Sequence, residues 1–133
     1  MIDSHCHLAD EVFGDDLREV VRRAKDAGLT RALCVLDATN EAETMRAAQV
    51  SDLWPATWFA AGVHPHQAGG FAGRLDELEA LVRAAIGEGE DVYALGEIGL
   101  DYHYDLAPRA VQRDVFRCQL RVARALACPV VIH

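Results

Sequence analysis

Nowhere in the 133 residues does an apolar run approach the length of a membrane span, which needs ~18 or more consecutive apolar residues. Asp3 and His5 arrive before any signal-like stretch, so a cytoplasmic protein is expected. Positive charge is scarce as well: 13 Lys and Arg stand against 21 Asp and Glu, a formal net charge of −8. That balance works against the diffuse phosphate attraction of non-specific nucleic-acid binders. It still allows a phosphate substrate met by a local positive source such as bound divalent cations. The four cysteines, Cys6, Cys34, Cys118 and Cys128, form no C-x-x-C pair and no regular spacing. This argues against a zinc knuckle or disulfide framework and predicts reduced thiols. No repeat, low-complexity tract or interdomain linker divides residues 1–133.

What the chain does contain is a regular alternation of short β-rich runs and amphipathic windows. Met1 to His7 reads as a strand, and Leu17, Val20, Val21 and Ala24 give helical spacing over Asp15 to Ala27, which Gly28 ends. A second strand, Arg31 to Leu36, precedes a helix that Asn40 can cap, with Glu43 placed as in a capping box. The third strand covers Thr57 to Val63, and Leu75, Leu78, Leu81 and Val82 mark the helix after it. A fourth runs from Asp91 to Gly96. Pro108 suits the first turn of a long helix with Val111, Val115, Cys118 and Val122 on one face, and Pro129 opens a fifth strand through Ile132. Strands separated by helices imply an α/β protein with parallel pairing, either a doubly wound sheet or a (β/α)8 barrel. The pattern amounts to about four and a half βα units with five parallel strands, and full barrels typically need ~250 residues. A barrel would therefore be partial, with two open edges that invite pairing with another half or with a second copy.

In parallel α/β architectures ligands bind at the carboxyl ends of strands, and the ionisable residues collect there. His5 and His7 end the first strand, His64 and His66 follow the third, Glu97 follows the fourth and His133 ends the fifth. His103, in the loop after the fourth strand, is the exception. Side chains alternate along a strand, so His5 and His7 share a face while Cys6 points toward the helix layer. Two imidazoles can then reach one cation. Glu97 lies among glycines and apolar residues in Gly96-Glu97-Ile98-Gly99, where an ionised carboxylate is costly unless paired or bound to metal, which makes it a candidate bridging ligand. His64 and His66 flank Pro65, which stiffens their loop. They can contact a phosphate or tune metals from behind the ligands, and either can equally be a hydrogen-bonded structural residue. His66, farther into the loop, is the better-placed substrate contact. Asp101 is a weaker candidate, since loop aspartates commonly cap or solvate. Gln112, Phe116 and Gln119 read as packing and capping residues, and Trp54 and Trp58 as core or rim.

Four segments, Ile2 to Leu8, Gly62 to His66, Gly96 to Tyr102 and Pro129 to His133, stand in an order and spacing that resembles the TatD-type metal-dependent deoxyribonucleases of the amidohydrolase superfamily. The resemblance covers the whole chain, as the N-terminal half of a single barrel domain. It implies divalent cations (Mg2+, Mn2+ or Zn2+, two being expected), with His5 and His7 on one, Glu97 bridging and catalytic, and His133 on a second. It implies hydrolysis of DNA phosphodiesters, single-stranded or at 3′ ends, by water that the cations activate, beside which His64, His66 and Asp101 stand by loop position as candidate substrate contacts. Some members act on other bonds, including D-aminoacyl-tRNA esters, and a non-catalytic half-barrel that requires a partner is a further alternative. The sequence departs from the pattern at Ala9, where the family has Asp or Asn and this chain has Asp10 one residue later. Family members also carry a later Arg, His and catalytic Asp beyond the position of His133. The 133 residues by themselves are accordingly expected to bind metal poorly and turn over slowly or not at all.

Overall fold

A computed structural model describes residues 1–88 and 91–133. Five strands, β1 (Ile2–Cys6), β2 (Arg31–Asp37), β3 (Thr57–Gly62), β4 (Val92–Ile98) and β5 (Val130–Ile132), alternate with α1 (Leu17–Asp26), α2 (Glu41–Leu53), α3 (Leu75–Glu88) and α4 (Arg109–Ala125). All four strand pairings are parallel, and each strand lies beside its sequence neighbours in the order β1-β2-β3-β4-β5. That order decides between the two architectures the pattern allowed. A doubly wound sheet reverses direction at a switch point; here every crossover proceeds the same way, so with one handedness all helices fall on one face. The result is a curled half of a (β/α)8 barrel.

Local chemistry explains the element ends. Gly28 takes φ +89° just past α1. Its N–H reaches Lys25 O and that of Leu29 reaches Ala24 O, so the last carbonyls of the helix are satisfied by a left-handed turn. At α2 the Asn40 side chain accepts the Glu43 N–H at 3.2 Å. The reciprocal half of the expected capping box is not formed: the Glu43 carboxylate accepts the Asp37 N–H instead, tying α2 to the end of β2. Pro108 occupies the cap position of α4, one residue before the first turn.

Two helix-side cores form. One gathers Ala32, Cys34, Leu36, Phe59 and Ala61 with Leu17, Val21 and Val50, and Cys6 packs against it as the alternation of β1 requires. The other joins Leu95 and Ile98 to Leu78, Val82, Val115, Cys118 and Val122. The opposite face of the sheet carries the smaller group Val35, Ala60 and Ala94, bordered by Leu33 and Val131. Trp54 is core at 4% exposure, whereas Trp58 is 41% exposed and packs on Tyr93.

Candidate metal centre

β4 positions the central carboxylate by breaking its own alternation. Leu95 and Ile98 both belong to the helix-side core although three residues apart, and the register of β4 against β5 shifts between them. An irregularity of this kind re-aims a side chain, and here the re-aimed residue is Glu97. The strand thus continues through Ile98 instead of ending at Gly96, and Glu97 lies within it. Glycines leave room for the approach. A Cβ on Gly96 would stand 2.6 Å from Val131 Cβ, and one on Gly99 would stand 2.9 Å from His133 O. Any side chain there would push β5, and His133 with it, away from Glu97.

The two oxygens of Glu97 face two different sets of imidazoles. Oε2 is 3.1 Å from His5 Nε2, and His7 stands beside His5 with ring centroids 5.2 Å apart. Oε1 is 2.6 Å from His133 Nδ1, which is itself 3.1 Å from His64 Nε2. One donor atom from each of His5, His7 and Glu97 falls within 4.8 Å of the others, and the same holds for His64, Glu97 and His133. A carboxylate shared by two imidazole pairs is a donor set that fits divalent metal.

The electrostatics suit that donor set. Burial drives the His64 pKa below its ordinary value, and the neighbouring His133 and His66 add to the effect, which favours the neutral ring. Its Nδ1 accepts the His66 N–H at 3.2 Å, so ligation through Nε2 would need that bond to be given up. Burial acts to raise the Glu97 carboxyl, but the hydrogen bond from His133 and the charges of His5, His133 and His64 outweigh it, and the net shift is downward. By position His64 stands with Glu97 and His133 as a candidate donor, closer in than the substrate contact expected from its loop.

His66 and Asp101 form a pair that adjoins the candidate ligands, Asp101 Oδ2 lying 3.6 Å from His133 Nε2. His66 Nε2 lies 2.5 Å from Asp101 Oδ2, with the side chains 31% and 5% exposed. Asp101 Oδ1 accepts the N–H groups of His103 and Tyr104. Those bonds, with the one from His66, hold the carboxyl well below the usual aspartate range, the Tyr104 N–H contributing most. Asp101, expected to touch substrate, turns inward and its oxygens are occupied by the protein. His66 keeps its place on the cleft. That cleft, about 440 Å3, takes in the candidate ligands His7, His64 and Glu97 and is also lined by Asp10, already noted for its offset position, and by Asp37 and Gln67, which the sequence did not single out.

Two further residues act from α4. Gln119 accepts the Val63 N–H at 2.8 Å and donates to the Val63 carbonyl at 2.9 Å. Gln112 does the same for Asp101 and also donates to Ala107 O. Both are 1% exposed. They brace the segments that carry His64, His66 and Asp101, a closer task than packing. A signal existed: two amides seven residues apart within an apolar helical stripe need partners in the interior.

Among known proteins, the profile of the family described as TatD related DNase matches residues 2–133. The chain is similar to the 3'-5' ssDNA/RNA exonuclease TatD of Erwinia billingiae (strain Eb661), 36% identical over 134 residues, covering 100% of this chain and 49% of that protein. It is similar also to the uncharacterized metal-dependent hydrolase YabD of Bacillus subtilis (strain 168), 33% identical over 133 residues, with 100% and 50% covered. Among solved structures, YJJV, a TATD homolog from Escherichia coli k12, superposes with a TM-score of 0.79 at 27% identity, covering 100% of this chain and 50% of that one. The chain spans about half the length of these relatives.

Proposed function

The chain belongs to the TatD related DNase family, and from that premise we propose that it is a metal-dependent hydrolase that removes nucleotides from the 3′ end of single-stranded DNA using two divalent cations, Mg2+, Mn2+ or Zn2+. The observation that carries this reading is Glu97, each of whose carboxylate oxygens faces its own pair of imidazoles. His5 and His7 with Glu97 Oε2 would hold one cation, and His64 and His133 with Glu97 Oε1 the other. When bound, such cations polarise a phosphoryl oxygen and lower the pKa of water.

The remaining tasks fall to the protein's own groups. Asp101 fixes the ring of His66 through Nε2, which leaves Nδ1 as the nitrogen free to donate to a phosphate oxygen when protonated. Gln112 and Gln119 keep the two loops from shifting relative to β3 and α4. Preference for a nucleic acid over another ester draws on the exonuclease name of the relative at 36% identity.

The test is shortening of a 5′-labelled single-stranded oligonucleotide with Mn2+ present. Slow shortening from the 3′ end, absent in EDTA and reduced at least ~100-fold by Glu97→Ala, is the expected outcome, an effect of several kcal/mol on the barrier. Intact DNA and RNA after prolonged incubation with a Mn2+-binding chain of the relatives' full length, against which residues 1–133 alone turn over slowly or not at all, would overturn the nuclease reading. Hydrolysis of a carboxylic ester or phosphomonoester under the same conditions would then mark the site as that of a different hydrolase.

A further inference from the structure

The net charge of −8 makes the distribution of positive charge informative, and that distribution is uneven. Five of the 13 Lys and Arg, namely Arg109, Arg113, Arg117, Arg121 and Arg124, lie on α4, where Asp114 is the lone acid. All five are exposed, on the side of the helix away from the buried Gln112, Val115, Gln119 and Val122. The N-terminal end of this basic row adjoins the loop after β4, and that loop presents aromatic rings to solvent. Tyr104 is 66% and Tyr102 38% exposed.

These rings are exposed on a loop that is held in place. The buried Asp101 carboxylate takes the N–H groups of His103 and Tyr104, and Gln112 clamps Asp101 from behind. Arg109 lies over the Tyr102 ring at 4.6 Å and also pairs with Asp105. Arg113 Nη1 is 3.4 Å from the Tyr102 hydroxyl, and among the described residues it has no carboxylate partner. On the inner side the rings continue into the site: Tyr104 meets His66 edge-on at 5.7 Å, and His66 meets His64 at 4.3 Å. A fixed, solvent-facing aromatic near the Arg113 guanidinium, linked ring by ring to the candidate ligands, has the two elements that single-stranded nucleic-acid sites combine. Those elements are a π-face on which any base can stack and positive charge for the backbone.

We propose that the β4–α4 loop and the first two turns of α4 form the landing surface for single-stranded nucleic acid. Tyr104 stacks a base close to the cleaved linkage, and Arg113 meets a backbone phosphate beyond it. The inference rests on the nuclease reading above and adds the surface that delivers the strand. It also supplies local positive charge in a chain that is acidic overall.

The experiment is fluorescence anisotropy of a fluorescein-labelled oligothymidylate with the chain in EDTA, where no cleavage competes. Tyr104→Ala should weaken binding about 5- to 100-fold, the range for loss of one stacked base, and Tyr104→Phe should restore it to within about twofold. Arg113→Ala should weaken binding and reduce the slope of log affinity against log salt by ~0.7, as expected for one lost phosphate contact on a single strand. Arg83→Ala, which removes the same charge from α3 where Arg83 pairs with Glu79, should leave affinity within about twofold. Tyr104→Ala binding like the wild type, or Arg83→Ala and Arg113→Ala acting alike, would overturn the landing surface while leaving the nuclease reading intact if the wild type still shortens DNA. A wild-type chain that neither binds nor shortens any single strand would overturn both.

Discussion

Asp101 shows how one buried carboxylate organises a neighbourhood. Its oxygens bind the His66 ring and two backbone N–H groups, and its pKa is depressed by those contacts. A group whose folded-state pKa lies below its unfolded value is stabilising above the unfolded pKa, about 3.9 for aspartate. That contribution is lost as pH falls through the lower folded value. Asp101→Asn should therefore flatten the decline in stability below pH ~4, read as the urea midpoint at a series of acidic pH values. An acid limb identical to that of the wild type would show that the carboxylate is not linked to folding. The inward turn of Asp101 was not legible in its loop sequence, because an aspartate followed by two N–H donors gives the same local signal whether its other oxygen meets solvent or a histidine 35 residues away.

At the scale of elements, α4 does more than cover the sheet. Gln119 satisfies both polar groups of Val63, which is itself 1% exposed. Replacing it with leucine keeps the volume close to the original but leaves a buried N–H and a buried carbonyl unpaired. Each orphaned group costs about 1–3 kcal/mol, so Gln119→Leu is expected to lower unfolding free energy by about 2–6 kcal/mol in all. Equilibrium denaturation reads this directly, and a loss under ~0.5 kcal/mol, the usual scatter of surface substitutions, would mean that the amide does not brace the loop. The periodic apolar positions of this helix were readable, as were its start near Pro108 and the cap of α2 at Asn40. The irregularity in β4 was not. Leu95-Gly96-Glu97-Ile98 is compatible with plain alternation, and only pairing with β5 forces the shift that turns Glu97 toward the histidines.

For the whole molecule, the sheet's two outer strands each have a single partner: β1 pairs with β2, and β5 with β4. Along those edges Ile2, Val130 and Ile132 are 63%, 39% and 53% exposed. Unpaired strand edges bearing apolar side chains favour association. We expect concentration-dependent self-association in sedimentation velocity, and a monodisperse monomer over a hundredfold range of concentration would count decisively against it. No helix among the described residues is long and apolar enough to cross a membrane.

By itself the sequence determined the alternation of strands and helices, the parallel α/β class and the arrival of His5, His7 and His133 near the carboxyl ends of strands, because periodicity and turn chemistry are local properties. Tertiary structure decided the rest. It chose the half-barrel through the strand order, brought His64 to His133 across 69 residues, turned Asp101 inward and placed the Tyr104 and Arg113 surface beside the cluster. The physical reason is that a residue's type and spacing fix which face it occupies, whereas its partners depend on register, on the shift in β4 and on the packing of α4, none of which is encoded within any single segment.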